Sequence, residues 1–220
     1  MEQSSNSEPK FDFLFNVVEE NMGFVPNSMR AMSEEPALLG SFSMLSGLIL
    51  GDPRKTSPKT ILKLIFKNMF WSSKYMKRKD RIPITLRHLV AHITSKAAGC
   101  QYCQAHTIGN AKMSGVKEEK LNAIWDFEES SLFSEQEKSA LRFALAAGTH
   151  PNAVTSDHFE DLKTHFTRKQ ILELGAVVSL FGFLNRWNET FATQLEEPAI
   201  AHAHEYLSEK GWTIGRHNKS

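Results

Sequence analysis

Apolar residues recur along this chain at the spacing of a single helix face. Leu86, Leu89, Val90, Ile93 and Ala97 fall at i, i+3, i+4, i+7 and i+11, a stripe that an α-helix gathers on one side and a strand would scatter over both. Phe11, Leu14, Phe15 and Val18 repeat the pattern. The chain has only 12 glycines and 8 prolines, most of them between such stripes, where they punctuate rather than interrupt. The spacing predicts helices over 11–21, 36–50, 58–78, 83–98, 100–114, 117–126, 134–148, 156–166, 168–195 and 198–210. Asn27 or Ser28 is placed to cap a helix after the break at Met22–Pro26, and Gly51-Asp52-Pro53 reads as a sharp stop. Ser134-Glu135-Gln136-Glu137 reads as a capping box. No run alternates as a strand would, and no long linker appears. The expected fold is all-α, a single helical domain over 1–220 with a polar tail at 1–10 and its cysteine-bearing core at about 83–195.

At 41% hydrophobic and 23% charged over 220 residues, the chain has enough apolar material for a substantial core. A net charge of +1 gives no global electrostatic reason to expect nucleic acid as a partner. The opening Met1–Lys10 is polar and carries Glu2 and Glu8, unlike the basic start and apolar run of a secretory signal. No stretch approaches the roughly 20 apolar residues of a membrane span. The expectation is a cytoplasmic protein with no stable membrane insertion. Two cysteines do not make a disulfide-stapled scaffold, and in a reducing compartment a close pair points to redox or metal chemistry.

The most basic segment is 58–78, where Lys59, Lys63 and Lys67 alternate with Ile61, Leu62, Ile65, Phe66, Met69, Phe70 and Trp71. A helix of this kind is able to lie on a membrane surface. The reading adopted is a core helix with a solvated lysine face.

The chemistry concentrates in Gly99-Cys100-Gln101-Tyr102-Cys103-Gln104-Ala105-His106-Thr107. On a helix, Cys100, Cys103 and His106 share one edge. A cysteine at a helix start meets unpaired N–H groups and the positive end of the dipole, which favour thiolate. The two-residue spacer lets the sulfurs reach bonding distance, and His106 is placed to move a proton. The main rival is zinc, with His88 and His92 at i, i+4 as possible further ligands. With no second CxxC, redox is preferred, and no metal or other cofactor is expected. His150, His158, His165, His202, His204 and His217 are read as surface or packing residues.

Leu86-Arg87-His88-Leu89-Val90-Ala91-His92-Ile93 followed by the Gly99–His106 block resembles the carboxymuconolactone decarboxylase superfamily, specifically its alkylhydroperoxidase-D-like, peroxidase-related branch. Gly23–Asn27, Pro36–Leu39, Leu141–Ala144 and Phe183–Asn188 resemble other family segments, so roughly 20–195 is covered. The resemblance implies a helical fold with the CxxC opening a buried helix. It also implies a trimeric or hexameric homo-oligomer and peroxide reduction through the cysteine pair with a proton relay. That relay usually includes a glutamate twelve positions before the first cysteine, where this chain has His88, and a histidine where it has Thr107.

These readings give a thiol-dependent hydroperoxide reductase in antioxidant defence. Cys100, Cys103, His106 and His88 are its catalytic residues, with His92, Thr107 and Tyr102 in support. The helix-start argument favours Cys100 as the more acidic thiol. Related proteins attack with the second cysteine, and Cys103 is assigned as attacker with Cys100 resolving. The expected partners are a hydroperoxide and a thiol reductant or redox partner protein. The alternatives are a redox sensor or exchange protein without turnover, and a lactone decarboxylase, whose relatives generally lack the CxxC.

Overall fold

A computed structural model describes residues 11–50 and 57–218, and among these there are helices and turns but no strand. The polar tail and the stop at Gly51-Asp52-Pro53 lie outside the described residues. The chain forms two compact units, Met1–Asp80 and Arg81–Ser220.

In the first unit, α1 (Asp12–Met22), α2 (Asn27–Met32), α3 (Pro36–Leu50) and α4 (Pro58–Met76) surround a small core of Phe11, Leu14, Phe15, Val25, Met29, Ala37, Leu39 and Trp71. Helix α1 ends where Gly23 turns left-handed, φ 81°, and its N–H closes on the Glu19 carbonyl at 2.7 Å. The cap of α2 is Pro26, with no side-chain hydrogen bond, rather than Asn27 or Ser28, which sit inside the helix. Helix α4 starts at the Ser57 side chain, which accepts from the Thr60 N–H. Its expected role as a core helix is not met, because Trp71 is its one buried side chain. Phe66, Met69 and Phe70 are 62%, 63% and 59% exposed, and lysines alternate with them.

The second unit is built around α5 (Ile84–Ala97), whose Leu86, Leu89, Val90 and Ile93 are buried as the stripe requires. It packs on α6 (Gln101–Met113), α8 (Glu135–Gly148) and α10 (Arg168–Phe191), while α7 (Glu118–Asn122) and α9 (Ser156–His165) cover the flanks. The α5–α8 crossing is close because Gly148 lies there, where a Cβ would stand 2.7 Å from the Thr94 carbonyl oxygen. Capping boxes open α8 at Ser134 and α10 at Thr167. The core continues beyond the expected 195, through Ala199, Ala203, Tyr206 and Leu207 to Trp212, because α11 (Glu197–Leu207) packs on α6.

One buried charge ties this unit together. The Glu173 carboxylate on α10 accepts from the Arg81 guanidinium at 3.0 Å and from the Ile82 N–H at 3.3 Å, with Arg87 at 3.8 Å. Its side chain is 2% exposed.

Candidate active site

The turn between α5 and α6 places the cysteines. Gly99 adopts φ 72°, a left-handed conformation that closes α5, and the Cys100 N–H reaches back to the Ser95 carbonyl at 3.1 Å. Cys100 is therefore extended, φ −81° and ψ 104°, and becomes the N-cap of α6. Its sulfur does what a serine oxygen does at that position, accepting the Cys103 N–H at 3.3 Å. Both thiols are free and buried.

Cys103, in the first turn of α6, is the more acidic thiol of the pair. The hydrogen bond from Cys100 lowers its pKa, outweighing the opposing effect of burial, and the Asn188 amide of α10 adds a second donor 3.5 Å from the sulfur. Cys100 shifts the other way, because it keeps the proton it donates to Cys103 and because it is buried. The acidic thiol is thus the second cysteine, against the simple helix-start argument.

Cys100 faces two groups that sequence reasoning missed. Glu189, one residue after Asn188, and His217, in a 3₁₀ turn after α11, place their ligand-type atoms and the Cys100 sulfur all within 4.8 Å of one another. His217 is fully buried and is neither a surface residue nor mere packing. Its Nδ1–H donates to the Thr193 carbonyl at 2.7 Å, and its Nε2 lies 2.9 Å from Glu189 Oε1. With Nδ1–H already committed, the Nε2···Oε1 contact has to hold a proton of its own. The one sequence signal was the polar group Asn185, Arg186, Asn188 and Glu189, which follows the largely apolar stretch Ala176–Leu184 of the same helix. His217 gave none, since it follows the last helix and belongs to no periodic stripe.

The expected site residues fall into four places, with His88 apart from the rest. Cys100 and Cys103 are together. Tyr102 and His106 form a rim: Tyr102 Oη donates to Glu196 Oε1 at 3.1 Å, His106 Nε2 meets Glu196 Oε2 at 2.8 Å, and their rings lie 4.5 Å apart. Burial, with the Glu196 carboxylate beside it, pushes the Tyr102 hydroxyl up to about 12. The Tyr102 ring also lies 5.7 Å from that of His217, so this rim adjoins the Cys100 side of the pair.

His92 and Thr107 form a buried brace behind the pair. Thr107 Oγ1 donates to the Cys103 carbonyl at 2.6 Å and lies 3.0 Å from His92 Nδ1, and the Trp125 N–H donates to His92 Nε2 at 2.9 Å. Both His92 nitrogens are occupied, and burial lowers its pKa to about 3, so the ring is neutral with its proton on Nδ1. It is not free to ligate a metal alongside His88. His88 is half-buried, its pKa lowered by burial and by the Arg87 charge. Among the described residues no hydrogen bond joins it to either sulfur.

Comparison with known proteins agrees with this architecture. Residues 65–146 match the carboxymuconolactone decarboxylase family. The uncharacterized protein YnjA of Escherichia coli (strain K12) is 30% identical over 112 residues, which is 51% of this chain and 61% of that protein's length. The crystal structure of the debrominase Bmp8 shares 29% identity and covers 90% of this chain and 92% of its own, with TM-score 0.57. A cysteine-to-alanine variant of that protein has been crystallised with 2,3,4-tribromopyrrole. A protein of unknown function from Agrobacterium tumefaciens, described as a candidate antioxidant defence protein AhpD, has the same fold at 21% identity and TM-score 0.50, over 64% of this chain and 92% of its own. Residues 65–146, which carry the cysteine pair, are thus similar to the carboxymuconolactone decarboxylase family, and the helical fold is shared with an AhpD-like protein.

Proposed function

We propose that this protein is a thiol-dependent hydroperoxide reductase in which Cys103 attacks and Cys100 resolves. The observation that carries this reading is the Cys103 sulfur, which receives hydrogen bonds from Cys100 and Asn188 in the first turn of a helix. In the first step the Cys103 thiolate attacks one peroxide oxygen. The S–O bond forms, the O–O bond breaks, and the departing alkoxide takes a proton to leave as alcohol. The proton shared by His217 and Glu189 supplies it. The Cys100 thiol then attacks the sulfenic sulfur and passes its proton through the His217–Glu189 pair to the departing hydroxide, which leaves as water; solvent restores the proton that the pair gave to the alkoxide. An external dithiol restores the pair by exchange and is itself oxidised to a disulfide. His217 and Glu189 thereby take over the relay expected of His88 and His106, and the Tyr102–Glu196–His106 rim orders the approach to the pair.

The decisive experiment is free-thiol mass spectrometry of the reduced protein with stoichiometric tert-butyl hydroperoxide. Rapid loss of both thiol hydrogens, reversed by dithiothreitol, is the expected result. Thiols that stay reduced for minutes would remove the reading, and oxidation without turnover under excess dithiol would leave a redox sensor instead. The rate should rise with pH through a midpoint below the ordinary cysteine value of about 8.5, since the folded pKa of Cys103 is lowered. In Asn188→Ala the loss of one hydrogen bond to a charged group should move that midpoint up by about one pH unit.

A second reading follows from the likeness to a debrominase over 90% of this chain. The same dithiol is able to take halogen from an electron-rich ring: sulfur removes bromine with its bonding pair left on the ring carbon, the carbon is protonated, and the second thiol displaces bromide to form the disulfide. Bromide release from a bromopyrrole under dithiothreitol, against alcohol formed from hydroperoxide, separates the two.

We further propose a cytoplasmic homo-oligomer, a trimer or hexamer. Phe183, Trp187 and Phe191 form an exposed aromatic row on α10, with ring centroids 6.1 and 4.7 Å apart, an apolar surface suited to another subunit. Among the described residues, no helix is long and apolar enough to cross a membrane.

A further inference from the structure

We propose that Cys100, His217 and Glu189 form a binding site for a divalent cation of the zinc class, and that occupancy closes the dithiol to oxidation. Three features of the site support this. One sulfur, one imidazole nitrogen and one carboxylate oxygen lie within 4.8 Å of one another, a donor set that suits tetrahedral zinc and leaves a fourth position open. His217 is oriented as a metal-ligating histidine is. Its Nδ1–H is committed to the Thr193 carbonyl at 2.7 Å, which fixes the ring and turns Nε2 toward the other two ligands. The three residues come from different parts of the second unit, the cap of α6, the end of α10 and the last 3₁₀ turn, so the packing of the fold brings them together rather than local sequence.

Binding exchanges protons for metal. The thiol proton of Cys100 and the proton between Nε2 and Glu189 leave to solvent as the metal–sulfur, metal–nitrogen and metal–oxygen bonds form. No redox change occurs. Water fills the fourth place. A metal-bound Cys100 sulfur is withdrawn from attack on a sulfenic acid, and the His217–Glu189 proton is no longer available to the leaving alkoxide. Metal occupancy and peroxide turnover are therefore mutually exclusive on the same atoms. The zinc alternative weighed from sequence used His88 and His92, whereas the site proposed here uses neither.

The test is titration of the reduced full-length protein, without peroxide, with cobalt(II) as a spectroscopic stand-in for zinc. The expected result is one equivalent bound, with intense visible ligand-field bands of tetrahedral cobalt and a sulfur-to-cobalt charge-transfer band. Both should be absent after oxidation of the pair and in Cys100→Ser. His217→Ala and Glu189→Gln should each weaken binding by at least about tenfold. Absence of tetrahedral bands at one equivalent would overturn the site, as would affinity unchanged in Glu189→Gln, a near-isosteric variant that decides the matter if His217→Ala does not fold. A second arm adds one equivalent of zinc before tert-butyl hydroperoxide. Slowed thiol loss, restored by chelator, is expected, and an unchanged rate at full occupancy would overturn the closure. Because the cobalt titration involves no peroxide, its failure and the failure of the reductase reading are separate results.

Discussion

A Cys103→Ser variant should consume hydroperoxide no faster than the uncatalysed background, while Cys100→Ser should react once and stop. The asymmetry follows from the hydrogen bonds at the pair. Cys103 is the sulfur that accepts, from Cys100 and from Asn188, and a serine hydroxyl in its place is not ionised at neutral pH. In Cys100→Ser the attacker remains, still hydrogen-bonded by Asn188 and by the new hydroxyl, but the resolving sulfur is gone. The sulfenic acid formed on Cys103 then has no partner within the pair and should accumulate. Trapping with dimedone, followed by peptide mapping, should place the adduct on Cys103 in Cys100→Ser. An adduct on Cys100 in Cys103→Ser, formed at the parent's rate, would exchange the two roles.

Glu173→Ala should destabilise the protein by about 3–5 kcal/mol, the usual cost of breaking a buried ion pair by removing one partner. The magnitude comes from what is left behind. Arg81 loses a 3.0 Å partner, the Ile82 N–H loses its acceptor, and Arg87 loses the carboxylate 3.8 Å away. Since a domain's whole stability is about 5–15 kcal/mol, this is a large share, read as a lower urea midpoint with little change in slope. Glu173→Gln keeps an acceptor for Ile82 and should lose less. Equal losses in the two variants would mean that the charge contributes most of the effect.

Helix placement was readable because burial in this chain is periodic. The stripe from Leu86 to Ala97, the punctuation at Gly99 and Gly115, and the Ser134 box each depend on residues close in sequence, and each appears where local physics puts it. The cysteine pair was legible for the same reason, since its spacing and its position at a helix start are local facts. What surrounds it was not. His217 meets Cys100 only after α11 has packed on α6, and Glu189 owes its place to the register of a helix whose other residues read as core. His92 shows the reverse failure. Its spacing from His88 suggested chelation, yet both its nitrogens are occupied by Thr107 and Trp125, partners that no i, i+4 rule can name. Helix α4 shows a third limit, for an apolar–lysine pattern states that a face is apolar and leaves open what covers it.

The sulfur of Cys100 terminates the backbone of α6, and in the proposed cycle the same atom becomes half of a disulfide. A sulfur drawn into a covalent bond with Cys103 shifts relative to the Cys103 amide, and their hydrogen bond should weaken. Oxidation therefore withdraws protection from the first turn of α6, and the Cys103 amide proton should trade with deuterium faster in the disulfide than in the dithiol. The oxidation state of two atoms would in this way be written into the solvent exchange of a single peptide group.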